Sequence, residues 1–236
     1  MNMNSQLFVL NRSPFYYNKI LVLLLACLVF GLAETLAQTQ SKSSQWEPAI
    51  RAFEKNDKIH PPPQNVVLFI GASSIRKWTT LSNDFPGITL INRGFGGSQI
   101  DDSTFFASRI IFPYHPPTIV LYGGDNDLAA GKSPAEVFSE YTNFVNVVHS
   151  QLPETRIIFI SIKPSPSRWK RLKDKVIETN RQIAAIKDDH LIFVDVYSHM
   201  LDAGGNPQKD LFLSDGLHPN EKAYAMWASL IRPYLN

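Results

Sequence analysis

Apolar positions follow two alternating rhythms along this chain. Val66-Val67-Leu68-Phe69-Ile70 is a continuous apolar run bounded by Gly71, the pattern of a strand buried on both faces. Four more runs follow: Ile88 to Ile91, Thr118 to Tyr122, Arg156 to Ile162 and Leu191 to Val196. Between them the spacing becomes helical. Phe105 to Ile111 belongs to one helix. Pro134 to Leu152 carries Val137, Phe138, Tyr141, Phe144, Val145 and Val148 on one side. Trp169 to Ile186 and Ala223 to Ile231 complete the series. Ahead of the first strand, Trp46, Ile50 and Phe53 mark a helix over Trp46 to Lys58, ended by Pro61, Pro62 and Pro63. Strands alternating with helices predict right-handed crossovers and an α/β fold, a mainly parallel sheet covered on both faces.

Ligands of such sheets bind beyond the carboxyl ends of the strands, so the residues after each run carry the candidate chemistry. Gly71-Ala72-Ser73-Ser74-Ile75 follows the first run and Asn92-Arg93-Gly94-Phe95-Gly96-Gly97-Ser98 the second. Gly123-Gly124-Asp125-Asn126-Asp127 follows the third, and Asp215-Gly216-Leu217-His218 precedes the last helix. Each type has a use. A serine hydroxyl attacks, and an Asp/His pair three residues apart activates it. Glycines let backbone N–H groups approach a ligand, and an asparagine amide donates to a developing oxyanion.

These four blocks, in this order, resemble the SGNH hydrolases of the GDSL lipase/esterase superfamily, over Val66 to Pro233. The resemblance implies a three-layer α/β/α, flavodoxin-like sandwich with a five-stranded parallel sheet. It implies Ser73 as nucleophile, Gly97 and Asn126 as oxyanion donors beside the Ser73 amide, and Asp215 and His218 as the remaining catalytic pair. Gly97 stands five after Asn92, and Gly124-Asp125-Asn126-Asp127 matches the family's Gly-x-Asn-Asp. Ala72 departs from the family, which usually has an aspartate there. The activity implied is hydrolysis of small-molecule or glycan esters, which needs no cofactor and no metal. Among members, the chain looks closest to compact acetylhydrolases without a large lid. Asp215 is expected to raise the pKa of His218 above its ordinary value of about 6.5.

Other readings compete for the same residues. Ser74 is a rival nucleophile, and Ser73 also suits a helix N-cap. Gly71-Ala72-Ser73-Ser74-Ile75 fails the G-x-S-x-G elbow at Ile75. The glycine loop lacks a dinucleotide fingerprint. Asp125 and Asp127 are types that ligate hard cations, although no longer acidic series follows. His60, His115, His149, His190 and His199 show no partner spacing. Arg76, Trp78, Arg93, Phe95, Lys163, Arg168 and Trp169 flank the blocks as pocket candidates. A lipase, a non-catalytic binder of acylated glycan or lipid, and a flavin protein are the alternative functions.

Composition narrows these choices. The chain has 236 residues, 44% of them hydrophobic, enough for one ordinary core. A net charge of +2 gives no basic footprint for nucleic acid. At the N-terminus, Arg12 and Lys19 precede an apolar run from Ile20 to Ala33, and Thr35-Leu36-Ala37 ends in small residues. That is the order of a secretory leader, too short to span a bilayer comfortably. Residues 1–37 are therefore expected to be a signal peptide, 38–60 a linker and N-terminal helix, and 61–236 the hydrolase domain. The protein is expected to be exported, periplasmic or secreted, without stable membrane insertion after cleavage. An uncleaved anchor or a lipoprotein at Cys27 are the alternatives. Cys27 is the single cysteine, so leader removal leaves no thiol chemistry.

Overall fold

The computed structural model describes residues 44–235. The expected leader, Cys27 and the start of the linker lie outside them. The chain divides into two units, and the second, Trp46–Asn236, carries all the elements below.

Five strands form one parallel sheet: β1 Val67–Gly71, β2 Leu90–Gly94, β3 Thr118–Tyr122, β4 Arg156–Ile160 and β5 Leu191–Val194. Their order is β2-β1-β3-β4-β5, every neighbouring pair parallel. This is the flavodoxin-like winding, and it reverses direction beside β1. The register is simple: Gly71 lies opposite Gly94 on one side and Tyr122 on the other. The three loops that follow β1, β2 and β3 therefore emerge side by side.

Alternation along each strand sorts the core into two layers. Leu68, Ile70, Ile119, Leu121, Ile157 and Phe159 pack on one face, against α1 Glu47–Ile59, α3 Ile100–Phe105, α5 Pro134–Gln151 and α6 Trp169–Ala184. Val67, Phe69, Val120, Tyr122, Ile158 and Ile160 pack on the other, chiefly against α7 Glu221–Ile231. Two short helices, α2 Ser73–Arg76 and α4 Asp125–Ala129, cap strand ends β1 and β3. The predicted helix over Phe105 to Ile111 is instead two short pieces, α3 and Ala107–Ile110, because Phe106 caps both. The second strand starts at Leu90, two residues later than the apolar run, and takes in Asn92 and Arg93.

Helix α1 is tied to the sheet by charge. Arg93 donates to Asp57 at 2.5 Å and to the Tyr114 hydroxyl at 2.8 Å. Arg109 donates to Glu54 at 2.6 Å and to Glu47 at 2.7 Å. Burial and the Asp57 hydrogen bond push the Tyr114 phenol up to about 12. Among the described residues, no helix is long and apolar enough to cross a membrane.

Candidate active site

The site grows from the end of β1. Gly71 has φ of +125°, and a Cβ there would lie 1.9 Å from the Tyr122 carbonyl oxygen. Only glycine fits so close to β3. The chain then extends through Ala72 and enters α2 at Ser73. Asn92 fixes α2 to the end of β2, its amide donating to the Ile75 carbonyl at 2.7 Å.

From the other end of the chain, Asp215 and His218 arrive on a tight turn. No helical turn forms there, contrary to the simplest reading of their spacing. Gly216 supplies a φ of +60°, and Leu213 N–H donates to the His218 carbonyl at 2.8 Å. Asp215 Oδ1 accepts from the Leu217 and His218 amides at 2.8 and 2.9 Å. That leaves Oδ2 for the ring: His218 Nδ1 lies 2.5 Å away. His218 Nε2 lies 2.9 Å from Ser73 Oγ. With the proton on Nδ1 facing Asp215, Nε2 accepts from the serine hydroxyl.

An aromatic cluster holds the two segments together. Trp78 stacks on Tyr224 at 4.8 Å, and the Tyr224 hydroxyl donates to the Ser74 carbonyl at 2.9 Å. Ser74 itself is buried against this packing, whereas Ser73 reaches the cleft.

Asn126 is the second residue of α4, whose N-cap Gly124 is in the left-handed region at φ +96°. Its Nδ2 donates to the Ser98 carbonyl at 2.9 Å, leaving a second hydrogen free. Its Oδ1 accepts twice from Arg168, at 3.2 Å each. Gly97 sits in the left-handed region at φ +80°, and a Cβ there would meet the Trp46 ring at 2.9 Å. Ser73, Gly97, Asn126 and His218 thus line one cleft of about 570 Å³.

Behind the cleft lies a buried charge network. Lys163 is 2% exposed and donates to Asp125 Oδ2 at 2.6 Å and to the Tyr122 hydroxyl at 2.9 Å. Arg168 donates to Asp125 Oδ1 at 2.8 Å. Burial pushes the Asp125 carboxyl up, but Lys163 and Arg168 overcome this and hold it below its ordinary value. Asp127 accepts from the Gly124 and Ile100 amides at 3.0 Å. Asp101, Asp127 and Glu140 bring carboxylate oxygens close enough to share a cation, and Lys132 occupies that position. Its Nζ is 3.4 Å from Asp101, 3.6 Å from Asp127 and in contact with Glu140.

Two expectations need correction. Burial lowers the His218 pKa, and the charges of Lys77 and Lys163 add to it; together they outweigh Asp215, which acts upward as expected. The Asp215 carboxyl is pushed up by burial yet held well below its usual range by the His218 ring and the two turn amides. Of the flanking pocket candidates, Arg76 and Arg168 line the cleft. Trp78, Arg93, Phe95 and Lys163 are buried in the interior, and Trp169 lies over a separate small depression beside Lys163. The cleft also takes in Trp46, Ala49 and Lys77, which no block marks. Lys77 offers one signal: it stands four after Ser73, within reach of the same helical face.

The family described as GDSL-like Lipase/Acylhydrolase matches residues 70–226, and the chain belongs to it. A Streptococcus pneumonia structure provisionally described as a platelet activating factor superposes with a TM-score of 0.69 at 22% identity, over 89% of this chain and 99% of that one. A GDSL-like lipase from Bacteroides thetaiotaomicron gives 0.68 at 19% identity, over 79% of this chain and 96% of that one. A carbohydrate esterase family 3 member from Talaromyces cellulolyticus gives 0.54 at 18% identity, over 72% and 96%. At these identities the likeness is one of fold. No curated protein matches the sequence.

Proposed function

We propose that this chain is a serine esterase that removes short acyl groups, acetyl foremost, from a carbohydrate alcohol. One observation carries the reading: Ser73, His218 and Asp215 form an unbroken relay at 2.9 and 2.5 Å beside the Asn126 amide. Ser73 Oγ attacks the ester carbonyl as His218 Nε2 takes its proton. The Ser73 and Gly97 N–H groups and Asn126 Nδ2 hold the oxyanion. The protonated His218 then gives its proton to the departing alcohol, leaving an acyl-serine. Water attacks that carbonyl with His218 again as base, and the acid and free enzyme follow. Asp215 keeps the proton on Nδ1 and stabilises the imidazolium.

The acyl preference rests on the lining. Trp46, Ala49 and Leu217 are its apolar members, while Arg76, Lys77, Asn126 and Arg168 are polar or charged. This suits a hydroxyl-rich leaving alcohol better than a long hydrocarbon. The carbohydrate esterase fold likeness points the same way. An organophosphonate ester should label Ser73, and Ser73→Ala should abolish turnover while Ser74→Ala keeps it. Labelling at Ser74 would move the nucleophile, and kcat/KM rising steadily with acyl length beyond eight carbons would favour a lipase. We also propose export, from the leader order of residues 12–37. A mature N-terminus at Gln38 is the expected result, and a lipid on Cys27 overturns it.

A further inference from the structure

The cleft is strongly cationic. Among the described residues that line it, none is Asp or Glu, and three are basic: Arg76, Lys77 and Arg168. Their charges are not equally committed. Arg168 is paired with Asp125 at 2.8 Å, a carboxylate it shares with Lys163. Lys77 faces the His218 ring, 3.4 Å from Nδ1. Arg76 is exposed at the cleft wall and has no carboxylate partner among the described residues. Other arginines on the same side of the molecule are paired, Arg93 with Asp57 and Arg109 with Glu47 and Glu54.

The fold also makes room for this side chain. A Cβ on Gly96 would lie 2.8 Å from Arg76 Nε and 3.1 Å from one terminal nitrogen. The guanidinium therefore lies against bare glycine backbone, in a place that a side chain at position 96 would deny it. Arg76 is three residues from Ser73 on the single turn of α2, so nucleophile and cation share one short rigid element. A planar guanidinium binds carboxylate and phosphate through two parallel hydrogen bonds.

We infer that Arg76 holds an anion, a carboxylate or a phosphate, on the alcohol half of the ester. The inference rests on the esterase reading and names the class of its substrate: short acyl esters of acidic alcohols. The acetyl group takes the place beside Ser73, and the remainder of the cleft faces the alcohol.

The test uses matched esters with the full-length protein. Methyl 3-O-acetyl-glucuronide is compared with methyl 3-O-acetyl-glucoside, and acetylglycerol 3-phosphate with acetylglycerol. The expected result is a kcat/KM ratio, anionic over neutral, of about ten at low salt in at least one pair. That ratio should shrink as salt rises. It should fall toward one in Arg76→Ala and below one in Arg76→Glu, with Arg76→Lys keeping part of it. Gly96→Ala should lower it too, by displacing the guanidinium without removing the charge. Preference in the glucuronide pair alone names a carboxylate, and in the glycerol pair alone a phosphate; either supports the inference. A ratio of one or less in both pairs, with the neutral esters still cleaved, overturns it and leaves the esterase reading standing. A ratio near ten that survives Arg76→Ala overturns the assignment to Arg76. Failure to cleave any of the four esters removes the esterase reading and this inference together.

Discussion

Two aspartates stand on either side of the cleft, and the same carboxylate does different work in each place. Asp215 is on an exposed turn, with its side chain 42% accessible, and offers one oxygen to a histidine and the other to two amides. Asp125 is 4% exposed and enclosed by Lys163, Arg168 and the Ser165 hydroxyl. On the mechanism proposed above, the first has one titrating partner that changes charge during turnover. The second has two permanent cations that never should. A carboxylate on an exposed turn contributes little to stability, so removing its charge there costs little. A carboxylate that fixes other residues is best buried, where removing it is costly.

That contrast predicts opposite losses. Asp215→Asn should lower kcat on the order of 10⁴-fold, by permitting the wrong tautomer of His218, while the thermal midpoint moves little. The check is steady-state kinetics beside a melting curve on the same preparation. A large fall in stability with modest loss of rate would mean that the Asp215 turn is mainly structural.

Asp125→Ala should do the reverse. It leaves Lys163 buried without an anion and Arg168 unpaired at the cleft wall, a defect that costs about 3–5 kcal/mol. Denaturant unfolding should show the loss directly. A smaller drop in kcat should accompany it, since Arg168 also fixes the Asn126 amide at 3.2 Å. If the variant folds as well as the wild type, water already reaches the network, and its distinction from Asp215 fails.

The sequence made one of these aspartates easy to read and hid the other. Asp215 and His218 are three apart, and local spacing suffices to pair them, although a turn with Gly216 at positive φ rather than a helix does so. Asp125 is about forty residues from Lys163 and Arg168 and meets them only because β3 and β4 are neighbours in the sheet. Local periodicity gives strands and helices but not which loop residues share an edge, so Lys163 reads as a pocket residue when it is a buried strut. The same limit applies to Lys77 and Trp46. The central strands β1, β3 and β4 were legible because they are buried on both faces and are almost wholly apolar. Strand β2 was placed two residues early because its later half carries Asn92 and Arg93, polar groups that find partners inside the fold.

The smallest expected effect concerns Lys77, which couples the exposed aspartate to its surroundings. Its Nζ is 3.4 Å from His218 Nδ1, but that nitrogen's proton is engaged with Asp215 at 2.5 Å. No lone pair remains there, so the ammonium acts on the ring as a charge through space. A positive neighbour disfavours imidazolium, as burial does, and both lower the His218 pKa against the pull of Asp215. A base must be neutral to accept the Ser73 proton. Activity should therefore rise with pH through a midpoint below the ordinary histidine value of about 6.5. Lys77→Met removes one of the depressing charges, so its midpoint should move upward; Lys77→Arg should keep the wild-type value. Because the group is only partly buried, high salt should narrow the difference between Lys77→Met and wild type. The measurement is kcat/KM against pH for the three proteins, on a neutral acetyl ester so that no substrate charge intrudes. A midpoint that stays fixed or moves downward in Lys77→Met would show that burial and Lys163 set the histidine against Asp215, and that Lys77 is a bystander at the cleft wall.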